Sequence, residues 1–226
     1  MSKDYCVIGI GNLGREVVKN LVSLNKNVMA IDKNESRIRR VSHLVFSSFV
    51  IDATRPFDLE KTGIRNFENV FIALESNIKD SVLISGILSS WRIRYITVKV
   101  FDDFQEYILK KLGLKKLILL EKTEGKKIAW KLTLNLPSNF FLISQKDCLS
   151  LISIPFFKKG VFELFKDKIE QDFEVKILAI FRKEKIISLK NDKLFLLKEG
   201  DLIVCYGTII NMSNLKNFFD QVKGAQ

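Results

Sequence analysis

Three glycines near the start of the chain constrain its fold more than any other feature. An apolar run of strand length begins at Tyr5 and leads directly into Gly9, Gly11 and Gly14, which are spaced as G-x-G-x-x-G. Residues 15–24 follow with apolar side chains at three- and four-residue intervals, which indicates a helix. In such a turn Gly9 permits the tight bend, Gly11 lets the backbone approach a phosphate, and Gly14 lets helix and strand pack closely. The free N–H groups at the helix start would hold the anion.

An acidic residue stands where a second strand would end. A short apolar run at 28–31 is closed by Asp32, eighteen residues after Gly14. A carboxylate there accepts both hydroxyls of a ribose and repels a 2′-phosphate. A bare G-x-G-x-x-G is weak evidence and also fits a glycine turn without a ligand, but Asp32 argues against that alternative. The sequence therefore predicts a nucleotide-binding α/β unit.

The rest of the first half continues to alternate between strand and helix patterns. Further strands are predicted at 44–51, 69–74 and 95–100. Helices are predicted from Asn34 or Ser36 to Val41, at 56–62 and at 78–90. This alternation predicts an α/β fold, a Rossmann-like doubly wound parallel sheet with helices on both faces. Ligands of such sheets bind at the carboxyl ends of the strands. That rim would carry the glycines, Asp32 with Lys33, Asp52-Ala53-Thr54, Ser76-Asn77 and Lys99.

The pattern changes in the second half. Helices are predicted at 101–112 and 128–134, and a linker at 136–139. Beyond it come short β-rich runs at 140–144, 149–155, 175–181, 185–188 and 202–206, with helices at 161–168 and 212–222. We therefore expect a first domain of residues 1–136 and a smaller α+β domain of residues 140–226.

Composition excludes several classes of protein. Hydrophobic residues make up 47% and charged residues 28% of the 226, as in ordinary soluble proteins. The longest uncharged stretches, for example 202–215, are shorter than the roughly 20 residues that a membrane span needs. Met1 to Asp4 leads straight into the first strand without a cleavable apolar region, so we expect a cytosolic protein. Three separated cysteines in apolar runs predict buried free thiols. The net charge of +11 is spread along the chain, with no dense stripe for nucleic acid.

Residues typical of catalysis are few. The only histidine, His43, stands beside an apolar run, and no serine has a histidine partner in a recognisable nucleophile setting. No Cys, His and carboxylate cluster has zinc spacing. We therefore do not expect an enzyme. From the residues alone, Lys99 is equally a phosphate-facing cation or an ordinary strand-end lysine, and Glu121 reads as an acid in the first turn of a helix.

The motifs together resemble a known family. The residues are Val7-Ile8-Gly9-Ile10-Gly11-Asn12-Leu13-Gly14, Ala30-Ile31-Asp32, Asp52-Ala53-Thr54, Gly63-Ile64, Val98-Lys99, Leu112-Gly113 and Glu121-Lys122, and in the tail 175–182, 199–204 and Gly207. In order and spacing they resemble the RCK (regulator of K⁺ conductance) subunits of bacterial Ktr and Trk potassium-uptake systems. The resemblance covers about residues 4–220.

The resemblance implies a cytosolic regulatory subunit, peripheral on the inner face of the cell membrane. It would pair through a crossover helix at 101–112, assemble as dimers into an octameric ring and dock on a membrane K⁺-translocating subunit. ATP, ADP or NAD(H) would bind the first lobe, with the phosphates at Gly9, Gly11 and Gly14, the ribose at Asp32, the base near Asp52, Ala53 and Thr54, and Lys99 near the phosphate end. Asn12, Leu13 and Lys33 are expected as further cofactor-binding residues. Glu121 matches a position where relatives place a carboxylate on a divalent cation, Mg²⁺ or Ca²⁺, at the dimer interface.

Two departures from the family matter. Many relatives carry an arginine after the second glycine, where this chain has Asn12, and Arg15 follows three residues later. Discrimination between ATP and ADP by that arginine is therefore not expected. The C-terminal lobe is short, and the segment 187–196 lacks the proline that often appears there, so c-di-AMP binding in that lobe is not favoured.

Two alternatives stay open at this point. A small NAD-dependent oxidoreductase would share the nucleotide cleft, and NADH turnover with a small carbonyl substrate would favour it. A nucleotide sensor without a membrane partner would also share the cleft, and co-purification with a membrane protein would argue against it.

Overall fold

The computed structural model of the chain describes residues 4–75, 77–144, 146–155, 164–183, 185–187 and 196–224. It forms two compact units, Met1–Glu124 and Gly125–Gln226. The sequence-based division at residue 136 lies later in the chain than this one.

Unit 1 is built on a six-stranded sheet. Its strands are β1 Tyr5–Ile8, β2 Val28–Asp32, β3 Ser47–Val50, β4 Asn69–Ile72, β5 Tyr95–Lys99 and β6 Lys116–Ile118. They are all parallel and run in the order β3-β2-β1-β4-β5-β6. The predicted parallel sheet is therefore confirmed, and its strand order is that of a Rossmann fold.

Helices connect these strands. They are α1 Asn12–Ser23, α2 Glu35–Arg39, α3 Pro56–Lys61, α4 Ile78–Ser90 and α5 Asp103–Lys111, and α6 Leu120–Thr133 follows β6. Polar residues fix three of the starts: the side chains of Asn34, Asn77 and Asp102 accept hydrogen bonds from N–H groups in the first turns of α2, α4 and α5. Such caps satisfy donors that have no partner inside the helix.

The sheet of unit 1 is buried on both faces. Cys6 and Ile8 of β1 pack into one apolar cluster with Met29 and Ile31 of β2. Val7, between them in β1, packs into a second cluster. Neighbouring residues of a strand point to opposite faces of the sheet, so the two apolar clusters lie on opposite faces. Helices therefore cover both faces, and the predicted doubly wound arrangement is confirmed.

The strand order places the carboxyl end of β1 beside that of β4. The chain leaves β1 towards β2 and later returns to β4 on the opposite side of β1. In open α/β sheets such a reversal opens a crevice beyond the strand ends. The residues that follow β1 and β4 therefore define the first place to look for a ligand.

Unit 2 is a smaller α+β unit. Its elements are β7 Asn139–Leu142, β8 Asp147–Ser153, β9 Leu164–Phe165, α7 Lys166–Phe173, β10 Lys176–Arg182, β11 Lys185–Ile187, β12 Leu196–Leu197, β13 Leu202–Thr208 and α8 Ile209–Gly224. Five strands form an antiparallel sheet in the order β11-β10-β13-β8-β7, and β12 pairs with β9. The predicted α+β lobe is confirmed.

A buried ion pair ties β10 to the turn before β13. Asp201 is fully buried and accepts hydrogen bonds from Arg182 Nε and Nη2, each 2.7 Å long, and from the Lys198 N–H. Burial opposes ionisation of Asp201, but these donors outweigh it and hold the pKa of the carboxyl below its ordinary value. The pair fixes the turn at Gly200, whose φ of 76° suits glycine.

Three helices differ from their predicted bounds. The helix expected at 128–134 begins earlier, at Leu120. Its first turns were not predicted because none of its residues is buried and its sequence carries no clear apolar stripe. The crossover helix predicted at 101–112 is Asp103–Lys111, since Asp102 caps its start. The helix expected at 161–168 is wrong in register: 161–163 lie outside the described residues, 164–165 form β9, and α7 begins at Lys166.

All three cysteines are buried and free, as predicted. Burial raises the pKa of Cys148 to about 11 and that of Cys205 to about 12, so both are protonated thiols at neutral pH. In the part of the chain that the structure describes, we find no helix with the length and apolar character to cross a bilayer.

Candidate functional site

The glycine loop, residues 9–14, links β1 to α1 and sets the geometry of the rim. Gly9 has a φ of +92° and donates its N–H to the Ile31 carbonyl at 2.8 Å. A Cβ built on Gly14 would lie 1.9 Å from the Gly9 carbonyl oxygen, so only glycine fits there. Gly11 stands at the N-cap of α1 and offers no side chain to the first N–H groups of that helix. The first N–H groups of α1 therefore have no side-chain cap from the glycine loop.

Asp32 is buried at the end of β2 and is held in place by two backbone donors. Its Oδ2 accepts the Ile10 N–H at 2.7 Å, and its Oδ1 accepts the Asn34 N–H at 2.8 Å. A carboxylate has about four lone-pair positions, so each oxygen keeps one beyond these bonds, and Arg37 Nη1 lies 3.6 Å from Oδ2. Asp32 therefore braces the glycine loop and has acceptor positions beyond its two backbone bonds.

The residues after β3 form a second part of the rim. Asp52 Oδ1 accepts both the N–H of Thr54, at 3.0 Å, and its hydroxyl, at 2.7 Å. These bonds lower the pKa of the Asp52 carboxyl below its ordinary value. Ala53, between them, is buried. The segment is thus a stiff, self-bonded turn that presents backbone groups and a small apolar side chain.

A cleft of about 180 Å³ opens between these segments. Six of the residues singled out from the sequence line it: Gly9, Asp32, Lys33, Asp52, Ala53 and Thr54. Asn77, predicted on the same rim, and Asp80 also line it, while Ser76 lies outside the described residues. Ile8, Ile51, Leu74 and Ile84 give the cleft an apolar floor.

Three charged residues of the cleft were not predicted from the sequence: Asp80, and the pair Glu75 and Arg37. Glu75, directly after β4, accepts the Asn12 N–H at 2.7 Å through Oε1. Its Oε2 accepts a hydrogen bond from Arg37 Nη2 at 2.8 Å, and Nη1 of the same arginine lies 3.6 Å from Asp32 Oδ2. The bond from Asn12 is the main cause of the lowered pKa of Glu75. Neither residue of the pair belongs to a spacing motif, so only the position of Glu75 at the end of a predicted strand could have marked it.

The remaining predicted residues lie beside the cleft rather than in its lining. Asn12, Leu13 and Gly14 form the first turn of α1, where the Glu75 carboxylate covers the end of the helix. Lys99, at the end of β5, is buried, and its Nζ lies 2.6 Å from Glu121 Oε1.

Glu121 is therefore paired within the unit. The bond from Lys99 is the main cause of its lowered pKa, so the carboxylate is ionised at neutral pH. An ammonium at that distance competes with a metal cation, so Glu121 is open to a divalent ion only where it leaves Lys99. In the described ranges no three His, Cys, Asp or Glu side chains gather as a metal site.

The residues present fit a phosphorylated nucleoside. The start of α1 already holds one anion, the Glu75 carboxylate, at the point where a phosphate would lie. Asp32 has free acceptor positions one strand away, and the apolar floor suits a base. The rim thus offers an anion position at the start of α1, a buried carboxylate at Asp32 and an apolar surface formed by Ile8, Ile51, Leu74 and Ile84.

The chain is similar in sequence to known proteins. The family model described as the TrkA-N domain matches residues 5–120. The chain is 28% identical over 217 residues to Ktr system potassium uptake protein C of Bacillus subtilis, covering 96% of this chain and 97% of that protein. It is 33% identical over 132 residues to Ktr system potassium uptake protein A of the same organism, covering 58% of this chain and 60% of that one.

A solved structure has the same fold over nearly the whole chain. The GsuK channel bound to NAD superposes with a TM-score of 0.56 at 14% identity. The match covers 97% of this chain and 40% of the channel.

Proposed function

Because the chain belongs to the TrkA-N domain family, we propose that it is a nucleotide-binding regulatory subunit of a potassium-uptake system. Family membership confirms the resemblance to RCK subunits that the sequence motifs carry. The observation that carries the proposal is the arrangement of residues at the carboxyl ends of β1 and β2. The start of α1, where the Asn12 N–H binds the Glu75 carboxylate, follows β1. The buried Asp32, which has acceptor positions beyond its backbone bonds, ends the neighbouring strand β2.

The proposed ligand is an adenosine nucleotide, ATP, ADP or NAD(H). Its phosphates lie on the glycine loop, against the N–H groups of Asn12, Leu13 and Gly14. Its ribose hydroxyls donate to Asp32, and its base lies towards residues 52–54. Lys33 lines the cleft beside Asp80, and Lys99 lies near the cleft in a pair with Glu121, so each would turn from its carboxylate to reach a phosphate oxygen.

The proposed partner is a membrane K⁺-translocating subunit. Support comes from Ktr system potassium uptake protein C, which aligns over 97% of its length. We place the subunit at the cytoplasmic face of the membrane, as dimers assembled into an octameric ring. Glu121 is a proposed ligand for Mg²⁺ or Ca²⁺ between two copies, where it would exchange Lys99 for the metal.

Regulation of this kind needs no catalytic group. A ligand shifts a two-state assembly when it binds the two states unequally, and typical couplings are about 1–3 kcal/mol. The cleft of the described chain offers a carboxylate, a guanidinium and backbone donors, which suffice for binding. We propose that nucleotide binding on the rim opens or closes the transport pathway of the partner.

The proposal is tested by K⁺ uptake in the source cells after deletion of the gene. We expect slow growth and slow uptake at limiting K⁺, restored by the wild-type chain and not by Asp32→Ala. Unchanged uptake in the deletion strain would contradict a role in potassium transport. Oxidation of NADH by the purified chain with a small carbonyl compound would instead support an oxidoreductase.

A further inference from the structure

The carboxylate of Glu75 lies in the space that the second glycine leaves open. A Cβ built on Gly11 would be 2.2 Å from Glu75 Oε1 and 2.3 Å from the carboxyl carbon. In a G-x-G-x-x-G turn this space is where the backbone approaches a phosphate. The same oxygen accepts the Asn12 N–H, the first donor of α1. Glu75 therefore stands in the position of the ligand's phosphate.

The carboxylate comes from a distant part of the chain. Helices are commonly capped by the residue that begins them, but Gly11 has no side chain to do so. Glu75 lies 63 residues further on, at the end of β4. Because β4 is the neighbour of β1 across the reversal in strand order, the two ends meet at the mouth of the cleft.

A second bond holds Glu75 in this position. Its Oε2 accepts from Arg37 Nη2 at 2.8 Å, and Arg37 also faces Asp32. The Glu75 side chain is about one-third exposed, at 34%, so it has a path to solvent. The two bonds make the position favourable in the empty cleft, and the exposure lets an incoming group displace the side chain.

We propose that Glu75 is an internal competitor for the phosphate position and sets the preference of the cleft between phosphorylated and unphosphorylated ligands. The inference rests on the proposed nucleotide site. A phosphate reaches the first turn of α1 only when the carboxylate leaves it. Arg37 then loses its partner on Glu75 and is free to pair with the phosphate. Adenosine, which has no phosphate, binds without this exchange.

Calorimetric titration with ADP and with adenosine tests the proposal on the full chain. For Glu75→Gln we expect ADP to bind about five-fold tighter, because a charge next to a helix N-terminus is worth about 1 kcal/mol. Adenosine should bind the variant and the wild type equally. Glu75→Ala, which vacates the position entirely, should also bind ADP more tightly than the wild type and leave the adenosine affinity unchanged.

A matched control separates competition from a general effect of charge. Glu68→Gln removes one negative charge from the other end of β4, where Glu68 lies 3.7 Å from Arg94 Nη1 and outside the lining of the cleft. Since water and salt screen such a charge, its ADP affinity should change by less than about three-fold.

The outcomes separate this inference from the proposed function. Equal ADP affinity in wild type, Glu75→Gln and Glu75→Ala would overturn the competition and leave the nucleotide site intact. An equal gain in adenosine affinity would also overturn it, because the effect would then not concern the phosphate. Failure of the wild type and both variants to bind either ligand would overturn the nucleotide site together with the inference.

Discussion

Gly14→Ala is expected to lower the free energy of unfolding of unit 1 by about 3 kcal/mol, the upper range for overpacking. The added methyl carbon would lie 1.9 Å from the Gly9 carbonyl oxygen and 3.4 Å from the Ala73 Cβ. Relief requires movement of backbone, and Gly9 is anchored by its N–H bond to Ile31. The loop cannot shift without breaking the junction of β1 and α1.

Gly86→Ala is the control for this substitution. Gly86 lies inside α4, and a Cβ built there meets nothing within 4 Å. Alanine should stabilise the helix by about 0.5–1 kcal/mol because glycine loses more backbone freedom on folding.

Tryptophan fluorescence during urea unfolding measures both effects. Of the two tryptophans, Trp91 belongs to unit 1 and Trp130 to unit 2, so a Trp130→Phe background reports on unit 1. A midpoint for Gly14→Ala at or above that of the parent protein would contradict the close approach at the glycine loop.

Asp32→Ala is expected to weaken adenosine nucleotide binding by about 100-fold. Two hydrogen bonds from ribose hydroxyls to a carboxylate are worth about 3 kcal/mol together. The substitution also leaves the N–H groups of Ile10 and Asn34 without their acceptor, at a cost to stability of about 1–3 kcal/mol. Binding is therefore to be measured at a temperature where circular dichroism shows the variant folded.

Calorimetry with ADP tests the prediction for Asp32, and Glu68→Gln again serves as the control. Both variants remove one negative charge from unit 1, but only Asp32 lines the cleft and is held by backbone donors. A similar affinity for ADP in Asp32→Ala and wild type would contradict the proposed contact between Asp32 and the ribose.

The local elements of the site could be predicted because they depend on neighbours in sequence. An apolar run, three glycines and a helical period fix the β1–α1 turn, and the distance to Asp32 follows from one helix and one strand. The parallel sheet followed from alternation of strands and helices in the same way. The resemblance to a family agreed with these patterns, and the matches to known proteins confirmed it.

The Glu75–Arg37 pair could not be predicted, because it depends on tertiary placement. Glu75 reaches α1 only because β4 lies next to β1, and Arg37 reaches Glu75 from α2 on the far side of Asp32. Neither contact joins residues at a spacing that a sequence motif defines. The start of α6 was missed for a different reason, since a helix with no buried residue has no apolar period to read.

A crystal structure of the chain with ADP bound tests the central claim most directly. We expect phosphate oxygens within hydrogen-bond distance of the Asn12 and Leu13 N–H groups, ribose hydroxyls on Asp32, and the Glu75 carboxylate displaced from α1. ADP bound elsewhere, or bound while Glu75 still accepts the Asn12 N–H, would contradict the proposed site.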